Sequence, residues 1–172
     1  MPIADNIILV GPMGVGKSTI GRILASLSSR EFKDTDHVIE ARTGANIPWI
    51  FDVEGEEGFR TRESSVLKEL VEQPQLVIAT GGGIVTQSIN RSLLQQQNCV
   101  VYLTASLEDL IKRTCRDKKR PLLQVGNPEQ RIKELMSTRD PLYREVCSLV
   151  VSTESKSPKQ VAEKIIQLSQ QL

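Results

Sequence analysis

The fold of this chain is decided by the stretch Gly11-Pro12-Met13-Gly14-Val15-Gly16-Lys17-Ser18-Thr19. It matches the pattern G-x-x-x-x-G-K-[ST], in which a glycine-rich loop follows a strand and opens a helix. The apolar run Ile7–Val10 precedes it and a helical pattern follows it. A plain glycine-rich turn is the alternative, but the full spacing and the strand–loop–helix context favour a site for a nucleoside triphosphate.

The chemistry of this loop assigns a task to each kind of residue. Glycine lets the backbone curl so that its N–H groups point at a phosphate, and the helix that follows adds its positive end. Lys17 can reach the β- and γ-phosphates as a mobile point charge, and the Ser18 hydroxyl can ligate Mg²⁺. The residues expected to bind the nucleotide here are Gly14, Val15, Gly16, Lys17, Ser18 and Thr19.

Composition narrows the class of protein. The 172 residues suffice for one domain, and the net charge of +1 argues against a nucleic-acid or membrane partner. Aromatic residues make up 3%, too few for a base-stacking surface. The cysteines, Cys99, Cys115 and Cys147, suit neither a disulfide framework nor zinc. With no signal-peptide pattern and no apolar run long enough for a bilayer, we expect a cytoplasmic protein.

Strand and helix patterns alternate along the chain. Strands are predicted at residues 7–10, 31–36, 76–80, 99–103 and 149–151. The helix predictions include residues 86–96 and residues 128–138, the second of which should be interrupted or kinked over 139–143 because Pro141 lacks an N–H. Alternating elements require a parallel sheet covered on both faces. We therefore predict a three-layer α/β/α sandwich with a five-stranded parallel sheet.

Two acids end the second predicted strand. Asp34 and Asp36 alternate along it, so both can face the crevice at the carboxyl ends of the strands, where ligands bind in open α/β sheets. Near a triphosphate, two carboxylates indicate support for Mg²⁺ and a hold on a substrate hydroxyl. The alternative is a solvated turn in which Asp36 caps a helix. His37, the only histidine, is best explained as an exposed residue of the first helical turn.

Three further features point to ligand chemistry. Arg60 follows apolar Phe59 and is a candidate clamp for a carboxylate, although an exposed, salt-bridging arginine is commoner. The triplet Gly81-Gly82-Gly83 follows a buried strand and permits close backbone approach to a ligand. A basic cluster fits a lid that closes over phosphates, and taken by itself it also fits a solvated face or a weak nucleic-acid patch. The cluster consists of Lys112, Arg113, Arg116, Lys118, Lys119 and Arg120.

Six motifs in order give the chain a family resemblance. They are Gly11–Thr19, Asp34-Thr35-Asp36, Gly55-Glu56-Glu57-Gly58-Phe59-Arg60, Thr80-Gly81-Gly82-Gly83, Arg116-Asp117-Lys118-Lys119-Arg120-Pro121 and Arg139-Asp140-Pro141-Leu142-Tyr143. In this order and spacing the set resembles shikimate kinase over nearly the whole chain. The resemblance implies a nucleoside monophosphate kinase-like P-loop domain over residues 1–172, with a mobile lid at about 113–127 and a substrate-binding segment at about 34–62.

The resemblance also implies a reaction and a set of residues. The reaction is ATP-dependent phosphorylation of the 3-hydroxyl of shikimate, with Mg²⁺ as cofactor, in the pathway to chorismate and aromatic amino acids. Carried over by position, Asp36 would hold substrate hydroxyls, Arg60 and Arg139 would grip the carboxylate, and Gly81, Gly82 and Gly83 would offer backbone. The catalytic set would be Lys17, Asp34, Asp36 and Arg120.

The remaining assignments concern the nucleotide and the metal. Arg120 would reach from the lid to the phosphates, Arg113 would lie against adenine, and Lys156 falls where a late loop touches the nucleotide. Ser18 would hold Mg²⁺ with Asp34 as its outer partner. The chain departs from the family pattern at Asp140, where Asn is common; a charge there could turn Arg139. Lys156 stands at a position that varies in the family.

Other functions fit part of the pattern. A gluconate or nucleoside monophosphate kinase would share the phosphate loop, and a panel of acceptors separates these. A regulatory ATPase or GTPase switch is a different class, and no N-K-x-D guanine signature is present. Salt-sensitive nucleic-acid binding without shikimate turnover would favour an RNA-binding role for the basic cluster. For the kinase we expect a monomer that binds ATP and shikimate.

Overall fold

A computed structural model describes residues 5–114 and 126–172. In this part of the chain five strands form one parallel sheet in the order β2-β3-β1-β4-β5. The strands are β1 (Ile7–Val10), β2 (Glu31–Asp34), β3 (Leu76–Ala79), β4 (Cys99–Thr104) and β5 (Leu149–Ser152). The predicted five-stranded α/β/α fold is confirmed.

Helices cover both faces of the sheet. They are α1 (Lys17–Leu27), α2 (Thr35–Thr43), α3 (Ile47–Val71), α4 (Ser88–Gln95), α5 (Leu107–Thr114), α6 (Pro128–Val146) and α7 (Pro158–Ser169), with a 3-10 helix at Ile84–Thr86. Local sequence sets several starts, since the side chains of Asn46, Asn127 and Ser157 accept hydrogen bonds from the first turns of α3, α6 and α7. The predicted capping box of Ser157 and Gln160 is present.

Alternation along the central strand divides the core between the two faces. Ile8 and Val10 belong to the apolar cluster that includes side chains of α3, while Ile7 and Leu9 belong to the cluster that includes side chains of α1 and α7. All four are buried, as a central parallel strand requires. The strand is therefore fixed from both sides, and the loop that leaves its carboxyl end starts from a rigid base.

Strand order brings the predicted ligand-binding segments to one edge. β1 lies between β3 and β4, and β2 lies on the far side of β3. Because all strands run parallel, the segments after β1, β2 and β3 leave the sheet at the same end, where doubly wound sheets bind ligands. Among the described residues, no helix is both long enough and apolar enough to cross a membrane.

The helix predicted over about 86–96 is confirmed as α4 (Ser88–Gln95). Two local predictions are wrong. Asp36 lies in the first turn of α2 and not in a strand, because the Asp34 side chain accepts from the backbone N–H groups of Asp36 and His37 and starts the helix there. Helix α6 runs unbroken through Pro141, since tertiary contacts of its neighbours hold the backbone helical across the missing N–H.

Some predictions fall on residues 115–125, which lie outside the described residues. They are the positions of Arg116, Arg120 and Cys115 and most of the predicted lid. Of the other cysteines, Cys99 is buried and Cys147 is half-buried, and both are free thiols.

Candidate active site

The phosphate loop adopts a conformation that its glycines permit. Gly16 caps α1 with φ of 102°, in the left-handed region that favours glycine. The Lys17 side chain folds back over the loop, where its Nζ donates to the carbonyl oxygens of Gly11 at 2.6 Å and Pro12 at 2.8 Å. The lysine is buried at the start of the helix. The ammonium group of Lys17 therefore lies beside the backbone N–H groups of the loop, where a phosphate would bind.

Hydroxyl and carboxylate oxygens meet directly below this loop. Ser18 Oγ donates a 2.5 Å hydrogen bond to Asp34 Oδ2, while Asp34 Oδ1 accepts from the start of α2. These are the hard oxygen donors that Mg²⁺ prefers when phosphates and water complete its shell. Across residues 5–114 and 126–172 there is no cluster of three or more metal-ligating acids, histidines or cysteines. The pair therefore fits a metal that arrives with a nucleotide better than a protein-only metal centre.

Asp36 faces the glycine triplet. An ideal Cβ on Gly81 would lie 3.2 Å from Asp36 Oδ1. Thr35 fixes this approach, because its buried hydroxyl accepts a 3.1 Å hydrogen bond from the Gly81 N–H. The start of α2 and the segment after β3 are thus tied together at the carboxylate that was predicted to hold a substrate hydroxyl.

Two buried arginines lie on the other side of the same cavity. Arg60 and Arg139 are 6% and 5% exposed. The alternative for Arg60, an exposed arginine in a surface salt bridge, is therefore wrong. Arg60 Nη1 donates to Glu63 Oε1 at 2.9 Å, and its Nη2 donates to Glu56 at 3.3 Å. Burial lowers the pKa of Arg139, although no pKa shift of this kind discharges a guanidinium at neutral pH. Two forked cations therefore line the cavity.

Glu63 is the buried partner of Arg60. Its side chain is fully buried, and this burial raises the pKa of the carboxyl to about 7 against the lowering effect of Arg60. The nearby carboxylate of Asp36 also raises it. Arg60 is therefore held by a group whose charge is only weakly favoured.

The glycine triplet leaves no room for side chains beside this guanidinium. An ideal Cβ on Gly83 would overlap the guanidinium of Arg60. An ideal Cβ on Gly82 would lie 3.6 Å from Nη1 of Arg139. Arg60 is therefore packed against the backbone of Gly83, and an ideal Cβ on Gly81 would lie 2.6 Å from Glu63 Oε2, so these two glycines are required by close approach and not only by a turn.

Two cavities meet at the floor of the site. The larger has a volume of about 490 Å³ and is lined by Arg60, Arg139 and Glu63, and the smaller, of about 200 Å³, is lined by the phosphate loop. Five residues line both cavities: Ser18, Asp34, Asp36, Gly81 and Gly82. A ligand on the phosphate loop and a ligand between the arginines would consequently touch the same two aspartates.

The departure at Asp140 does not turn Arg139. Asp140 points away from the cavity, where its Oδ1 accepts from Tyr102 at 2.6 Å and its Oδ2 accepts from Arg144 at 3.0 Å. Although partial burial raises the pKa of Asp140, hydrogen bonds from Tyr102 and Arg144 lower it overall. The extra charge is thus taken up by Tyr102 and Arg144.

Of the residues predicted to bind the nucleotide outside the loop, one contacts the phosphate loop and another does not line the site. Arg113 lies on the phosphate loop, with Nη1 donating to the carbonyl oxygens of Gly14 and Val15 at 3.4 and 3.3 Å. Lys156 is exposed, donates to the Ser152 carbonyl, and lines neither of the two cavities. Arg120 lies outside the described residues.

Comparison with known proteins gives the family. The family model for shikimate kinase matches residues 13–170. The chain belongs to the shikimate kinase family. A shikimate kinase from Acinetobacter baumannii (strain AYE) is 57% identical over 163 residues, which cover 95% of this chain and 91% of that protein. The family resemblance stated from the motifs is confirmed.

Solved structures agree with the family and the fold. A shikimate kinase from Acinetobacter baumannii in complex with shikimate is 55% identical, with a TM-score of 0.94 over 98% of this chain and 94% of that one. A gluconokinase from Sinorhizobium meliloti has a TM-score of 0.63 at 14% identity over 99% and 97% of the two chains. At that identity the second likeness shows the fold alone.

Sequence reasoning missed three residues that hold the site together. Glu63 could have been found, because it follows Arg60 at the i,i+3 spacing of a helical ion pair. Thr35 and Tyr143 stand in two of the six motifs, but their roles were missed because they contact Gly81 and Gly82, which are distant in sequence. Sequence motifs therefore predict candidate ligand-binding residues more readily than the residues that hold these candidates in position.

Proposed function

We propose that this protein transfers the γ-phosphoryl group of ATP to the 3-hydroxyl of shikimate, giving shikimate 3-phosphate and ADP. One observation carries the proposal. Two buried arginines, Arg60 and Arg139, line a cavity that shares its floor with the phosphate loop. A small anionic acceptor with hydroxyl groups is the ligand that this combination of charges suits.

The cavity supports a specific orientation of the acceptor. Arg60 and Arg139 would hold the carboxylate, because planar guanidinium groups donate parallel hydrogen bonds to two oxygens. Gly82, between them and the phosphate loop, would add its backbone. Asp36 would accept a hydrogen bond from a ring hydroxyl on the phosphate side. Glu56 contacts Arg60 at the position that an incoming carboxylate needs, and its exposed side chain can move aside.

Phosphoryl transfer depends mainly on alignment and on positive charge around the moving group. We propose that Lys17 leaves the carbonyl oxygens of Gly11 and Pro12 and turns to the phosphates when ATP binds. Arg120 would add charge from the lid, and Arg113 would lie against the adenine. Mg²⁺, held by Ser18 with Asp34 as its partner, would neutralise phosphate charge when bound. In the transfer, the acceptor hydroxyl oxygen bonds to the γ-phosphorus as the bond to the leaving ADP oxygen breaks, and the hydroxyl proton is released to a carboxylate of the site or to water.

The decisive experiment is ADP release with and without shikimate. We expect ADP release that depends on shikimate, while gluconate and nucleoside monophosphates give background rates. Turnover of gluconate in place of shikimate would favour the gluconate kinase alternative. Salt-sensitive RNA binding without shikimate turnover would overturn the proposal. The monomeric state and the cytoplasmic location stay predictions from the sequence.

A further inference from the structure

One buried hydroxyl joins two parts of the cavity wall. Tyr143 is fully buried in α6, one helical turn after Arg139. Its hydroxyl donates a 2.5 Å hydrogen bond to the Gly82 carbonyl. This bond ties the backbone of Gly82 to the helix that carries Arg139. Two segments that lie 61 residues apart, counted from Gly82 to Tyr143, therefore meet at one hydrogen bond.

We propose that Tyr143 is a positioning residue for the acceptor carboxylate. Its hydroxyl sets the guanidinium of Arg139 at a fixed distance from the backbone of Gly82, so that both can engage one carboxylate. This inference rests on the proposed function and adds a residue to it. Tyr143 itself lies behind Arg139 and acts through it.

The chemistry of the phenol suits this task. Burial raises the pKa of Tyr143 to about 12, so the hydroxyl keeps its proton and can donate to the Gly82 carbonyl. A carboxylate in its place would donate nothing to the Gly82 carbonyl. An ideal Cβ on Gly82 would lie 3.6 Å from Arg139 Nη1, so the backbone that the hydroxyl holds is a direct neighbour of the fork.

The ring is held independently of the hydroxyl. Tyr143 stacks on Tyr102 with ring centroids 4.9 Å apart, and its side chain belongs to the core cluster below the sheet. Removing only the hydroxyl should therefore leave the ring in place. What is lost is the link between the Gly82 carbonyl and the helix that carries Arg139.

The test compares two buried tyrosines that differ in where their hydroxyls point. Tyr143→Phe removes the link, and Tyr102→Phe is the matched control. Tyr102 is equally buried, belongs to the same stack, and directs its hydroxyl at Asp140 and not at Gly82. We expect Tyr143→Phe to raise KM for shikimate about 10-fold or more, with KM for ATP within about 2-fold. Tyr102→Phe should leave both KM values unchanged.

A substrate change separates positioning from general damage. With the methyl ester of shikimate, which lacks the anionic carboxylate, the Tyr143→Phe variant and the unmodified protein should show the same ratio of kcat to KM. A loss of equal size with shikimate and with its ester would overturn the proposal. So would a matching loss in the Tyr102→Phe control.

Two further outcomes are covered. If the Tyr143→Phe variant is unstable, replacing Tyr143 by 4-fluorophenylalanine provides a second test. The fluorine keeps the volume at the hydroxyl position and cannot donate, so this variant should show the same rise in KM for shikimate. If neither variant folds by circular dichroism, the hydroxyl serves the fold and the proposal is overturned. If the unmodified protein fails to phosphorylate shikimate, the proposed function is wrong. If the unmodified protein phosphorylates shikimate and the Tyr143→Phe variant has the same kinetics, the proposed function stands and the positioning role is wrong.

Discussion

Replacing Arg139 by alanine should weaken shikimate binding and leave ATP binding intact. In the proposed complex this residue gives two parallel, charge-assisted hydrogen bonds to the carboxylate. Bonds to charged groups contribute about 1.5–3 kcal/mol each, and Arg60 keeps part of the attraction. We therefore expect a net loss of about 2–3 kcal/mol, which is a rise of about 30- to 150-fold in KM for shikimate.

The free energy of unfolding should respond differently from binding. Burial lowers the pKa of Arg139, because the folded protein withdraws its charge from water. Removing the cation removes that cost, so we expect the stability of the Arg139→Ala variant in urea to be close to that of the unmodified protein. An Arg139→Lys variant keeps the charge but loses the fork, and its KM should fall between the two.

Steady-state kinetics with one substrate varied at a time, together with calorimetric titration of shikimate, measures these effects. Arg144→Ala is a control on the same helix, since Arg144 pairs with Asp140 away from the cavity. It should leave both KM values within about 2-fold. An equal rise in KM for ATP and for shikimate in the Arg139→Ala variant would refute the reasoning, and so would an Arg144→Ala variant that loses as much.

Three further predictions follow from the geometry. Lys17→Ala should reduce ADP release at least about 100-fold in a protein with a normal melting curve, and a fully active variant would remove this lysine from the mechanism. Gly83→Ala should raise KM for shikimate about 10-fold with KM for ATP unchanged, since its Cβ would overlap the Arg60 guanidinium. Because the pKa of Glu63 is raised from 4.5 to about 7, the unfolded state loses this proton first, and stability should fall by up to about 3 kcal/mol as the pH rises through that range. Urea titrations at pH 5 and pH 8 should show this fall, and a Glu63→Gln variant with an unchanged pH dependence would contradict it.

The parts of the fold that depend on local sequence could be predicted. The phosphate loop, the buried strand before it and the capping box of Ser157 and Gln160 are each encoded within a few residues. Their physical causes are the conformational freedom of glycine, apolar side chains on both faces, and paired side-chain and backbone hydrogen bonds. Such causes act over one or two turns, so the residues that supply them can be found without knowing the neighbours in space.

One error arose within a segment and the other where contacts from outside it decided the conformation. Alternating polarity made Asp36 look like the end of a strand, while the side chain of Asp34 caps a helix that begins at Thr35. Pro141 looked like an interruption, but Asp140 and Tyr143 anchor the helix on both sides of it. Local propensity is a weak preference that tertiary contacts override.

The position of Asp34 explains how the nucleotide side and the acceptor side of the site can be coupled. Its Oδ2 accepts from Ser18, at the start of the helix that follows the phosphate loop. Its Oδ1 accepts from the first turn of α2, which carries Asp36 towards Gly81. In the proposed complex, a shift of Ser18 towards a bound phosphate would therefore pull on the carboxylate that caps the helix carrying Asp36. Of the two cavities that meet at the floor of the site, Arg60 and Arg139 line only the larger, so in that complex the acceptor carboxylate would be recognised independently while its hydroxyl is aligned with the phosphate.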